Sequence, residues 1–246
     1  MRSREMEWTD LGLMPYMRAW ALQEELRERR LAGGVADRLL MVEHPAVFTM
    51  GRRDCACDIV SPPEVIAAEG IEVVNSNRGG RVTYHGPGQL VGYFICGLED
   101  MGTGIKEFVA SVEELCIRLL ASFGIEASRD SGHPGVWVGR NKIAAIGMNV
   151  QHGVTEHGFA LNVDCSLAPY RHILACGIKD RGVTSMAAVS GNPQSMPEVK
   201  SRLVETAGLV FSCRMIEAKP APGEAQAEVK VSSSTCGVGS SAGGSS

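Results

Sequence analysis

Three short stretches of this chain hold residues whose types and spacing could do chemistry. The first, RGGRVTYHGPGQ at 78–89, packs four glycines, two arginines, one proline and one histidine together. Gly79-Gly80 lets backbone approach a ligand with no side chain in the way. Gly86-Pro87-Gly88 is a turn of fixed geometry. Two readings of the stretch stay open. It is a binding wall, with backbone N–H groups, Arg78 and His85 offered to a ligand, or a tight hairpin whose glycines serve only positive φ. No Gly-Lys-Ser/Thr follows, so it is not a Walker loop. No helix follows, so it is not a dinucleotide fingerprint.

The second is Lys142, next to Ile143, Ala144, Ala145, Ile146 and Gly147. A lysine beside small residues can pack its stem while its head reaches a cleft, although a solvated lysine at a hairpin end is the commoner reading. The third is Cys176 in LACGIKDRG. A thiol attacks as the thiolate, which nearby cations favour, and His172, Lys179 and Arg181 lie within five residues of it. The other cysteines compare badly. Cys116 falls on an apolar helix stripe, Cys96 in a strand and Cys165 after Asp164, while Cys55 and Cys57 sit between Asp54 and Asp58. Most cysteines in proteins are nevertheless small buried hydrophobes.

The elements that must position these residues are legible from periodicity. Residues 13–30 read as a helix from Leu13, Met17, Trp20, Leu22 and Leu26, ended by Gly33-Gly34. Residues 38–42 and 47–50 read as strands around Glu43-His44-Pro45. Ser61-Pro-Pro-Glu64 carries a capping pattern for a short helix to about Gly70, and 71–74 is a strand. Residues 105–123 form the clearest amphipathic helix. GVWVGRNKIAAIGMNV at 135–150 reads as a hairpin, and 156–164 as a strand. A long ordered loop with a short element covers 165–192, and Ser195 caps a last helix to about Leu209. This mixture predicts an α+β domain with a mixed β-sheet flanked by helices. One catalytic domain is expected over 1–218. The Pro/Gly/Ser-rich segment 219–246 cannot offset its ordering entropy and is expected to be disordered.

Composition narrows the class. The chain has 246 residues, 44% hydrophobic and 21% charged, with net charge −4. That balance speaks against nucleic acid or an anionic membrane as partner. A local basic patch for an acidic partner remains open, with Arg52, Arg53, Arg78, Arg81, Arg171, Lys179 and Arg181 as its candidates. No export signal is read at the N-terminus, which places the protein in the cytoplasm. Neither the eight cysteines nor their spacing calls for a disulfide framework or a zinc site.

The strings RGGRVTYHGPGQLVGY, GVWVGRNKIAAIG, HGFALNV and ACGI with GVTSM, in that order and spacing, resemble the lipoyl-protein octanoyltransferases. The resemblance implies a fold similar to the catalytic domain of biotin and lipoate protein ligases. It implies octanoyl transfer from acyl carrier protein to one lysine of a lipoyl domain, in the acyltransferase subunits of 2-oxoacid dehydrogenases or in the glycine-cleavage H protein. It puts the acyl-thioester cysteine on Cys176 and the lysine that lowers its pKa on Lys142. Its substrate-contacting segments fall on Arg78, Gly79, Gly80, Arg81, Val82, Thr83, Tyr84 and His85, on Ala145, Ile146 and Gly147, and on Gly158, Phe159 and Ala160. The glycines and Ala160 would then leave a slot for the acyl chain. No metal or other cofactor is expected, and the chain is expected to act as a monomer. Arg81 stands where the family often has glutamine, and Ala175 where it often has proline. Two alternatives are kept: an ATP-dependent lipoate–protein ligase on the same fold, and a non-catalytic acyl-binding module.

Overall fold

The second strand shows how the chain is layered. β2 (Asp37–Glu43) is buried along almost its whole length. Leu39 and Met41 enter one apolar core, and Leu40 and Val42 another. This is the period of two of a strand, and it requires the sheet to be covered on both faces. The computed structural model describes residues 4–53, 58–174 and 181–219. The tail predicted from 219 lies, apart from Lys219, outside the described residues.

β2 sits within a mixed sheet built also from β1 (Glu5–Leu13), β6 (Gln89–Ile95), β7 (Ser128–Arg129), β8 (Val136–Val138), β9 (Asn141–Gln151), β10 (Val154–Asn162) and β12 (Arg214–Glu217). The strand order is β12-β1-β2-β6-β10-β9-β8-β7, and β11 (Gly182–Val183) pairs with β9. β1 runs parallel to both β2 and β12, and β11 is parallel to β9, whereas β2-β6-β10-β9-β8-β7 is antiparallel throughout. A small sheet, β4-β3-β5, is made of β3 (Val47–Met50), β4 (Glu72–Asn75) and β5 (Thr83–His85). The fold is thus α+β with a mixed sheet, as composition and periodicity predict.

The predicted stripe of α3 (Ile105–Ala121) is buried through Phe108, Val112, Cys116, Leu119 and Leu120. Together with Val199, Leu203 and Ala207 of α5 (Met196–Val210) it covers the face holding Leu39 and Phe94. On the opposite face Ala19, Leu22 and Leu26 of α1 (Tyr16–Leu31) pack on Leu40, Val91 and Ala160. Tyr16 continues that face to Val47 and Val74 of the small sheet. Two short helices, α2 (Pro63–Ala68) and α4 (Met186–Ser190), complete the connections.

Three expectations need correction. The first helix starts at Tyr16, because Leu13 ends a strand in which Glu5, Glu7 and Asp10 are interspersed with the buried Met6, Thr9 and Leu11. Ser61 does not cap α2, since its hydroxyl bonds His172 Nδ1 at 2.7 Å instead. The loop with one short element expected over 165–192 holds three among its described residues: a 3-10 helix at Ala168–His172, β11 and α4.

Phe94 is the hub of the larger core, with ring centroids 5.3 Å from Phe211 and 5.7 Å from Phe108. Phe94→Ala is expected to cost roughly 3–5 kcal/mol of stability in urea denaturation. Leu209→Ala, at a residue 73% exposed, should stay within about 0.5 kcal/mol.

Candidate active site

A cleft of about 590 Å³ lies where the large sheet meets the small one. That is within the range of sites for small molecules. Its lining includes Lys142 and Ala145–Met148 of β9, His157–Ala160 of β10, Tyr93 of β6 and Tyr16 of α1. The segment Arg78–Thr83 and His85 form a further part of its wall. Of the catalytic and substrate-contacting positions expected from the resemblance, all that are described line this cleft except Tyr84. Strand alternation turns Tyr84 away between Thr83 and His85, and its ring packs at 5.7 Å on both Phe48 and Tyr170. Cys176 lies outside the described residues, as do Cys55, Cys57, Lys179 and Ala175.

Three glycines of the wall let backbone approach backbone. A Cβ on Gly147 would stand 2.7 Å from Gly79 O, and one on Gly79 would stand 3.0 Å from Met148 O. Gly79 N donates to that same Met148 carbonyl at 2.9 Å. A Cβ on Gly158 would stand 2.2 Å from Gly92 O. Backbone therefore seats directly on backbone at these positions, and the loop 78–80 is clamped to β9. The cleft is kept open beside them by the cross-strand pair Ala145 and Ala160. Gly80, at φ 91°, and Gly88, at φ 81°, use the left-handed region. The stretch 78–89 is thus both a turn that uses positive φ and a cleft wall.

A chain of buried hydrogen bonds holds this wall from behind. Arg78 Nε donates to Thr49 Oγ1 at 3.0 Å, and an Nη of Arg78 donates to Thr49 O. The Thr49 hydroxyl meets His85 Nε2 at 3.3 Å, and His85 Nδ1 meets Gln89 Oε1 at 2.7 Å. Gln89 Nε2 donates to Asn162 Oδ1 at 2.9 Å, and Asn162 Nδ2 to Thr184 O at 2.9 Å. Gln89 Oε1 can only accept, so His85 carries its proton on Nδ1 and accepts from Thr49. Nearby, His44 bonds Met14 O and the Tyr93 hydroxyl, each at 2.7 Å. His157, at φ 60° within β10, bonds Asn77 Oδ1 at 2.6 Å.

Burial pushes all three imidazoles toward the neutral form. His44 falls to about 4 by burial. His157 falls to about 3 by burial and then by the charges of Arg78 and Arg52. His85 falls well below its ordinary value by burial, with His44 and Arg78 adding to it.

Lys142 forms the other end of the site. Its stem lies where Gly135, at φ 128°, has no Cβ, since an added one would be 3.2 Å from Lys142 Cε. Its ammonium donates to Pro134 O at 3.0 Å and stands 4.8 Å from the centroid of the Trp137 ring. Glu113 of α3 accepts from Gly135 N at 3.0 Å, which fixes the loop beneath it. The described chain on either side of Cys176 is anchored at this cleft. Leu174 N donates to Asp58 O at 2.8 Å, and the Asp58 carboxylate pairs with Arg81 of the wall at 2.8 Å. Two residues beyond Arg181, Val183 pairs in register with Lys142.

The described thiols are poor nucleophiles. Burial raises Cys96 and Cys116 well above the usual thiol range and Cys165 to about 12, and it also raises the half-buried Cys213. Among the described residues no group of His, Cys, Asp and Glu could hold a metal ion. None of the described helices is long and apolar enough to cross a membrane. A smaller groove of about 320 Å³ beside Glu114, Arg118 and Arg129 is lined by a surface ion-pair cluster.

Sequence reading missed Tyr16, Tyr93, Thr49, Gln89 and His157 as parts of the site. The available signal was polar residues inside strands that are otherwise apolar, such as Gln89 before Leu-Val and His157 before Gly-Phe-Ala.

The lipoyl protein ligase A/B catalytic domain family matches the chain over residues 15–208. The chain is 44% identical over 209 residues to a protein named octanoyltransferase from Alkaliphilus metalliredigens, covering 85% of this chain and 96% of that one. A second octanoyltransferase, from Chloroflexus aggregans, is 44% identical over 211 residues, covering 85% and 96% of the two chains. Its fold is similar to that of a bipartite lipoate protein ligase from Thermoplasma acidophilum, with TM-score 0.73 and 18% identity over 90% of this chain and 89% of that one.

Two outcomes follow from this geometry. Gly147→Ala forces a Cβ onto the Gly79 carbonyl and should destabilise the protein by about 1–3 kcal/mol in urea denaturation. The three neutral histidines take up protons more readily in the unfolded chain than in the folded one. Their contribution is therefore full above the ordinary histidine value near 6.5 and is lost as pH falls toward the folded values of about 4 for His44 and about 3 for His157. The urea midpoint should drop steadily from about pH 7 to about pH 4.5, and a flat midpoint over that window would contradict neutral burial.

Proposed function

Because the chain belongs to the octanoyltransferases of the lipoyl protein ligase A/B family, we propose that it moves an octanoyl group from the thioester of acyl carrier protein to a lysine of lipoyl domains, through an acyl-thioester on Cys176. It is an acyltransferase. The observation that carries the rest is the placement of Lys142. The lysine stands in the cleft wall, and both described chain ends around Cys176 are anchored at that cleft.

In the first step the Cys176 thiolate attacks the carbonyl of the carrier thioester. The new S–C bond forms and the old one breaks, and the carrier thiolate leaves and takes a proton. One thioester replaces another, so the step is near balance and calls for no nucleotide. The Lys142 ammonium favours the attacking thiolate by its charge. In the second step the neutral amine of the acceptor lysine attacks the acyl-enzyme. An amide C–N bond forms, the bond to Sγ breaks and the amine gives up a proton, with Lys142 as the nearby exchange group.

The acyl chain is proposed to lie along the Ala145/Ala160 part of the cleft. Burying about seven carbons at ~0.8 kcal/mol each contributes ~5–6 kcal/mol, which favours octanoyl over short acyl groups. Arg52, Arg53 and Arg81 at the cleft suit an acidic carrier protein.

Intact mass after mixing with octanoyl-acyl carrier protein, without ATP, tests the reading. One octanoyl group should appear on Cys176 and pass to an apo lipoyl domain when that is added. Activity that needs ATP and free lipoate would replace this reading with a ligase. A loaded enzyme that never discharges would replace it with an acyl-binding module. Cys176→Ser should abolish transfer. Lys142→Ala should move the pH midpoint of loading upward, and an unchanged profile would remove the lysine from the thiolate step.

A further inference from the structure

We propose that the seam between α1 and β10 binds buried water, and that this water positions His157 in the cleft wall. Four buried side-chain atoms of the seam have no hydrogen-bond partner among the described residues: Trp20 Nε1, Gln23 Nε2, Arg27 Nε and His157 Nδ1. Elsewhere among those residues Arg4 Nε alone is in that condition. Trp20, Gln23 and Arg27 follow one another at three- and four-residue spacing, so they share one face of α1. All three reach the same point of β10. The Trp20 and His157 rings have centroids 6.0 Å apart, Gln23 Oε1 accepts from His157 N at 2.8 Å, and Arg27 pairs with Glu156 at 2.6 Å. Gln23 and Glu156 are fully buried, and His157 is 1% exposed.

β10 is irregular at this point. It pairs with β6 from Gly158 to Asn162, and Val154 bridges Gly97, but His157 at φ 60° turns its N–H to Gln23 instead of to β6. The Thr155 hydroxyl spans the gap, accepting from Cys96 N and donating to Phe94 O. A left-handed φ at a residue other than glycine persists where its surroundings hold it, and here α1 does the holding.

The polarity of the seam selects what it takes. The Gln23 oxygen is spent on His157 N, so the amide nitrogen is left as a donor. Trp20 Nε1 and Arg27 Nε can only donate. Asn77 Oδ1 accepts from His157 Nε2 at 2.6 Å, which leaves Nδ1 of the neutral ring as an acceptor. Three donors and one acceptor suit a molecule that both accepts and donates. An anion would lie against the Glu156 carboxylate, and a cation would face three donors. An apolar group would leave all four atoms unmet. Water fits, with about two molecules accepting from the donors and giving a hydrogen to His157. Its bond to Nδ1, together with that of Asn77 to Nε2, fixes the rotation and tautomer of a ring that lines the cleft. Trp20, Gln23 and Arg27 are therefore positioning residues that act on His157 through water.

The test is magnetisation transfer from water to the Trp20 indole N–H, in full-length protein labelled with nitrogen-15 in tryptophan and histidine. The chain has three tryptophans, and Trp20→Phe assigns the resonance by its loss. The indole should show contact with long-lived water, with NOE and ROE of opposite sign. The contact should survive Tyr16→Phe, which removes the hydroxyl of a ring 6.3 Å away as a relay. The His157 ring, assigned through its backbone amide, should show a protonated Nε2 and a hydrogen-bonded Nδ1. Gln23→Met removes the amide donor and should shift the Nδ1 resonance toward that of a free lone pair. If Gln23→Met does not fold, Trp20→Phe decides, because it removes one donor and keeps an aromatic ring. It should shift Nδ1 in the same direction by a smaller step. No water contact at Trp20 in the folded parent overturns the proposal. An Nδ1 resonance unchanged in a folded variant overturns it too, as does a His157 ring that carries its proton on Nδ1.

Discussion

A buried guanidinium is the constraint around which the site is arranged. Arg78 is 7% exposed, and its N–H groups are spent on Thr49 and on the carbonyl of its own neighbour Gly79. A charge removed from water persists only where its donors are met. Meeting them fixes the loop 78–80 against β3, and the Gly79–Met148 hydrogen bond then fixes it against β9. The same charge works at a distance. It helps keep His85 and His157 neutral, so these histidines serve as fixed hydrogen-bonding struts. One residue thus sets both the shape of the wall and the protonation of what lies behind it.

The two ends of the cleft are built on opposite principles. Around Arg78 and His85 the polar atoms are tied into one another through Thr49, Gln89 and Asn162. Around Lys142 the ammonium donates to the Pro134 carbonyl and stands over the Trp137 ring. The first arrangement gives rigidity, and the second places a cation in the cleft wall, in register with Val183 of β11. Between them Ala145 and Ala160 keep the side chains of the cleft wall short.

What the sequence reveals and hides follows from the length scale of each interaction. The α3 stripe, the β2 run and the Ser195-initiated helix are local patterns, and their boundaries fall within a few residues of the periodicity. β1 is illegible because its buried positions Met6, Thr9 and Leu11 keep no constant period among Glu5, Glu7 and Asp10, and its strand identity depends on partners far along the chain. Ser61 has the right local context for a cap, but a histidine more than a hundred residues away takes its hydroxyl. The glycine stretch is recognisable as a site, yet the reason for each glycine is not. Gly147 needs Gly79, and Gly158 needs Gly92, and only the folded register brings those carbonyls close. The motif strings carry the family, while the partners of Thr49 and Gln89 emerge once the strands are laid side by side.

The pairing of β1 with β12 has a consequence for how the protein is made. Residues near 5–8 bond residues near 214–217, and Ala218 N reaches back to Trp8 O at 2.9 Å. β1 therefore keeps one edge open until β12 has been synthesised. Closing so long a loop is slow, and an unpaired edge is a template for other chains. The domain completes its sheet by joining its two ends, so a nascent chain stalled before residue 214 would carry a bare strand that chaperones, or its own copies, could reach first.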